Sequence, residues 1–101
     1  MSRRLELQTL LETILGSRNV YYQPPASIMM KYPAIVYSRY DIENVHADNA
    51  VYAQRTAYSV TVIDKNPDSE YVNKISMLPL CSFDRHYVSD NLNHDVFTLY
   101  F

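Results

Sequence analysis

Ala57-Tyr58-Ser59-Val60-Thr61-Val62-Ile63-Asp64-Lys65 runs directly into Asn66-Pro67-Asp68-Ser69-Glu70, and this joint decides the fold. Tyr58, Val60 and Val62 alternate with Ala57, Ser59 and Thr61, the period of a strand with one packed face and one small, polar face. The period then changes. Asn66 suits a helix N-cap, Pro67 the first helical position, and the acids behind it the first turn. Tyr71, Ile75 and Leu78 follow at i, i+4 and i+7 with Val72 beside them, and Pro79 ends the helix.

Upstream, the same strand begins at Val51. Before it, Glu43-Asn44-Val45-His46-Ala47-Asp48-Asn49-Ala50 is polar and reads as a loop or mobile hairpin tip. Pro33-Ala34-Ile35-Val36-Tyr37-Ser38-Arg39-Tyr40, rich in β-branched and aromatic residues, is a strand running to about Ile42. The two strands pair as a long antiparallel hairpin. Val20-Tyr21-Tyr22-Gln23 is a short strand stopped by Pro24-Pro25, and Ala26–Lys31 is a connection. The chain starts with a helix over residues 3–16, because Leu7, Leu10, Leu11, Ile14 and Leu15 form one apolar stripe. Ser2 can cap its start, and Gly16 stands where a left-handed residue is wanted at its end.

Downstream, Leu80–Ser89 pairs with His94–Phe101 across Asp90-Asn91-Leu92-Asn93. Phe97, Leu99 and Phe101 share one face of the last strand, and Val96, Thr98 and Tyr100 the other. The expected fold is α+β, in the order α-β-β-β-α-β-β: a mainly antiparallel sheet with a long hairpin and both helices on one face. The opposite face stays open unless something else covers it. At 101 residues the chain is expected to be a single domain over 1–101, with a folded surface of roughly 5,900 Å².

Composition excludes several kinds of function. Gly16 is the sole glycine, so neither a phosphate-cradling loop, a dinucleotide fold nor a nucleophile elbow can be built. Nine Lys and Arg against eleven Asp and Glu leave a net charge of −2, which disfavours phosphate-driven nucleic-acid binding. The single Cys81 makes no internal disulfide and no cysteine zinc site, as suits a reducing cytoplasm. No apolar run approaches the ~20 residues of a membrane span, and the first residues lack the apolar core of a signal peptide.

The candidate chemistry is thin. Cys81, Asp84 and His86 lie within one strand, where Asp84 and His86 share a face and Cys81 points to the other, so no nucleophile–base pair is expected. His46, His86 and His94 with Asp84, Asp90 and Asp95 could supply metal ligands, but no supporting pattern surrounds them. No catalytic residue, cofactor or metal is assigned. The ten tyrosines are the better clue, because tyrosine combines a large apolar body with a polar tip and is enriched at protein interfaces. Ordinary sheet propensity explains them equally well.

Several short segments together resemble a known family. They are Tyr32-Pro33-Ala34-Ile35-Val36-Tyr37, Tyr58–Lys65 leaving the hairpin, the Asn66-Pro67 helix start, Asp84-Arg85-His86-Tyr87, and Asp90-Asn91-Leu92-Asn93-His94 before a terminal strand. In this order they resemble the small tail terminator, or tail completion, proteins of long-tailed bacteriophages, a family that shades into the minor capsid and head–tail joining proteins of the phage neck. The resemblance implies a structural virion protein and not an enzyme. It would form a ring with copies of itself, commonly a hexamer, capping the tail tube protein and meeting the head–tail connector protein. By the same resemblance DNA would only pass through the lumen, and no membrane would be involved. Assembly would occur in the host cytoplasm and the product would reside in the virion tail or neck. The hairpin tip, Glu43, Asn44, Val45, His46, Ala47, Asp48 and Asn49, with Tyr37, Arg39 and Tyr52 on the flanking strands, is the candidate interface. The alternatives are a head-side joining protein of the same neck, or a small metal-dependent or single-strand-binding domain.

Overall fold

A computed structural model describes residues 3–24, 29–47 and 50–101, and the side chains of Arg3 and of residues 40–55 lie outside the described set. The leucine stripe forms helix α1 (Arg3–Leu15). Gly16 ends it with a φ of +75°, and its N–H donates to the Glu12 carbonyl at 2.9 Å. The expected Ser2 cap lies outside the described residues. The chain continues through β1 (Val20–Tyr22), β2 (Ala34–Ala47), β3 (Ala50–Asp64), α2 (Glu70–Ser76), β4 (Cys81–Ser89) and β5 (Leu92–Tyr100). The fold is therefore α+β in the expected order.

The five strands form one sheet in the order β1-β2-β3-β5-β4. Every pairing is antiparallel except β1 with β2, where Val20, Tyr21 and Tyr22 run parallel to Ile35, Val36 and Tyr37. Both helices pack on one face. Leu7, Leu11 and Leu15 of α1 and Ile75 of α2 share a core with Ile35, Tyr37, Tyr58, Val60, Val62, Phe97 and Leu99. Tyr71, Val72, Leu78 and Phe101 pack against its border. Ser59, Thr61 and Thr98 of the other face are half-buried, whereas Ala34, Ala57, Ile63 and Val96 of that face are buried.

Three local expectations are corrected. Asn66-Pro67 does not open α2. The Asn66 side chain instead accepts from the Asp68 N–H at 2.9 Å, while Asp64 accepts from the Asn66 N–H at 3.1 Å. These local bonds make a turn, and the helix begins after Ser69, whose side chain caps nothing. It also ends at Ser76, ahead of Pro79.

The second correction is to the last hairpin, which is tighter than its sequence suggests. Ser89 pairs directly with Leu92 across Asp90-Asn91, whose φ values of +53° and +62° make the turn a primed one. Leu92 and Asn93 belong to the strand.

The third is to the stretch Glu43–Ala50. Glu43 to Ala47 continue β2, and Ala50 already belongs to β3. Asp48 and Asn49 lie outside the described residues.

The long hairpin gives the molecule its shape. Its extents are 51 × 23 × 23 Å and its radius of gyration is 14.6 Å, against about 13 Å for a compact chain of this length. The accessible surface of 6727 Å² likewise exceeds the compact expectation. No helix among the described residues is long and apolar enough to cross a membrane.

Candidate interaction surfaces

β5 accompanies β3 only from Ala57 to Asp64, and β1 accompanies β2 only from Ile35 to Tyr37. Beyond these limits no other described strand flanks β2 and β3, which stay paired from Ile42 with Thr56 to Ala47 with Ala50, and at the base the Phe101 N–H still donates to the Thr56 carbonyl at 3.0 Å. The result is a two-stranded arm projecting from the sheet. Such a ribbon is marginally stable by itself in water, because two strands have no third layer on which to bury a face. Glu43, Asn44, Val45, His46 and Ala47 all lie on this arm, with Glu43 and Arg55 at facing register positions. Tyr52 falls at the irregularity where Val45–Ala53 gives way to His46–Val51.

The other two candidates separate. Arg39 is exposed at the base of the arm. Tyr37 is 1% exposed and belongs to the core, which corrects its place among the interface candidates. Its hydroxyl donates to Gln8 Oε1 and accepts from Arg4 Nη1 at 3.5 Å. Gln8 in turn donates to Glu12 at 2.9 Å and to the Val20 carbonyl at 3.1 Å, tying α1 to β1 and β2. Tyr22 and Tyr58 flank Tyr37 with ring centroids 4.9 and 6.0 Å away, and the Arg4 guanidinium lies 4.6 Å from the Tyr22 centroid. Burial pushes the Tyr37 hydroxyl above its ordinary pKa, and Arg4 partly opposes the shift. With Tyr71, four of the ten tyrosines thus serve the core and its border, a role that sequence counting cannot separate from an interface.

The thiol and histidine cluster does not assemble a nucleophile. A bulge between Phe83 and Arg85 shifts the alternation of β4. Cys81 opposite Leu99 and His86 opposite Asp95 therefore share a face, contrary to simple alternation. Four residues of β5 separate these positions, or about 13 Å at strand rise, far outside hydrogen-bond reach. Burial raises the Cys81 pKa, the opposite of activation. His94 stacks on Tyr87 with centroids 4.6 Å apart and planes 8° from parallel, and its Nδ1 lies 3.1 Å from the Leu92 carbonyl. The Arg85 guanidinium is 5.7 Å from the Tyr87 centroid. The Asp95 carboxyl is raised by burial, with His86 and His94 pulling it back. Among the described residues no three His, Cys, Asp or Glu side chains converge as a metal site requires.

A second surface was missed by sequence reasoning. β4 is the last strand of the sheet, and Ser82 to Ser89 are all exposed. Val88 is 61% exposed, Phe83 56% and Tyr87 41%, with Leu80 and Met77 exposed just before the strand. The signal was available in part: an apolar–polar mixture without a periodic packed face is what an edge strand carries. Between Pro33 and α2 lies a hollow lined by Asp64, Asn66, Asp68, Glu70 and Tyr71. No protein-family model matches the sequence, and no curated protein matches it either.

Proposed function

We propose that this protein is a structural assembly subunit without catalytic activity, one that joins copies of itself in a ring as the small phage tail terminators do. The observation that carries this reading is the arm, a two-stranded extension of a sheet that is otherwise well supported. A bare ribbon gains the third layer it lacks by lying against another subunit. The near-neutral charge suits a ring through which DNA moves without being held. A role at the tail tube or at the head connector follows from which of those two proteins the ring retains.

The arm supplies the test. Glu43 and Arg55 face each other, so replacing residues 44–54 by Asn-Gly closes the hairpin at its base with a tight turn. The core residues are untouched. The shortened protein is expected to keep the circular dichroism and cooperative melting of the parent, while rings seen by negative-stain microscopy disappear. Rings that persist without the arm overturn its assignment.

A further inference from the structure

The sheet has two unlike free edges. On one side, β4 bonds only to β5, and among the described residues no strand flanks its outer edge. On the other, β1 covers β2 at Ile35, Val36 and Tyr37, and from Ser38 to Ala47 the outer edge of β2 has no strand partner among the described residues. Among the described residues each edge therefore offers backbone donors and acceptors to which no strand is paired. The directions of the strands are compatible. β2 and β3, β3 and β5, and β5 and β4 are each antiparallel, so β2 and β4 run in opposite senses. A second copy that continues the sheet in the same sense therefore brings its β2 antiparallel to the first copy's β4, the stronger of the two pairing modes.

Resting on the assembly reading above, we propose that β4 of one copy pairs with the outer edge of β2, between Ser38 and Ala47, of the next. The contact is heterologous, and each copy keeps one edge to give and one to receive, so the contacts close into a ring where the rotation from copy to copy closes and run on as a helical filament where it does not. The register Cys81–Leu99–Tyr58–Arg39 puts the start of β4 level with the base of the arm. The neighbour must then be staggered along the strands, which run oblique to the ring axis as in a sheared barrel. The same contact gives the arm its missing neighbour and covers the exposed Val88 and Tyr87. The bulge at Asp84 and the charges of Asp84 and Arg85 restrict what this edge accepts, and the regular stretch beyond the bulge, Arg85 to Ser89, does the pairing.

Proline separates this contact from its rivals. In a two-residue hairpin the pair flanking the turn, Ser89 and Leu92, exchanges both hydrogen bonds, so the alternate residue Val88 turns its N–H outward. On β2, the Ile35 N–H and the Tyr37 carbonyl bond toward the β1 side, and the register past the irregularity at Arg39/Asp41 makes Asn44 an outward position of the arm. Val88→Pro and Asn44→Pro therefore each remove one outward donor and no internal ladder bond.

The expected result by native mass spectrometry is a closed assembly for the parent and an 11.8 kDa monomer for each folded variant. The two variants mixed should form a complex of two chains, because one intact β4 then meets one intact β2. Assembly by Asn44→Pro alone points to β4–β4 pairing and overturns the proposal. Parent-like assembly by both variants also overturns it while leaving the ring reading standing. A parent that is monomeric at every concentration removes both.

Discussion

Tyr37 shows how one hydroxyl can hold three elements. Tyr37→Phe removes the bonds to Gln8 and Arg4 and strands the Gln8 carbonyl in a part-buried place. The expected loss is about 1–2 kcal/mol in urea unfolding, with no change in the fold. Asp95 gives a pH signature. Burial raises its pKa, so the fold binds this proton more tightly than the unfolded chain does. Its favourable contribution is present in acid and is lost as pH rises from the ordinary value of 3.8 through the raised one. Asp95→Asn should flatten that part of a melting-temperature profile and raise stability at neutral pH. A profile as steep in the variant as in the parent assigns the slope to another group. Ser69 is the remaining oddity at this scale: its buried hydroxyl has no partner among the described residues, although it stands at the N-cap of α2.

At the scale of elements, the turn Asp90-Asn91 depends on residues that accept positive φ. Asn91→Val forces a β-branched side chain into the left-handed region and should cost about 1–2 kcal/mol, whereas Asn91→Gly is tolerated. Equal stability of the two variants in denaturant titration contradicts the primed turn. Elements built on a strong period were legible in the sequence: the leucines of α1, the alternation of Tyr58, Val60 and Val62, and the pair Tyr71 and Ile75 on α2. The failures have physical causes. Glu43 to Ala47 look like a loop because they are polar, yet a hairpin ladder needs only backbone groups in register. Asn66-Pro67 look like a helix start because the same Asn side chain serves a cap or a local turn, and here it bonds to the Asp68 N–H. The bulge at Asp84 leaves no compositional mark, and it reverses which residues of β4 share a face with Cys81. The candidate site was half legible for the same reason. Its place at the long hairpin followed from the two strands, but the edge of β4 depends on strand order, which no local pattern encodes.

For the whole molecule, the sheet is a layer covered by helices on one face, extended by an arm and ended by unlike edges. Here most of the exposed large apolar side chains among the described residues fall between Met77 and Val88, along and before β4. The proposed head-to-tail pairing would bring these features into one contact, and unlike edges favour a ring or a filament over a two-fold dimer. The most direct measurement of this claim is sedimentation velocity on the parent protein across the widest soluble concentration range, with negative-stain imaging of the same samples. The account predicts a discrete assembly with one copy number and a ring-shaped projection. A single 11.8 kDa species throughout, or a dimer with no larger form, would contradict it.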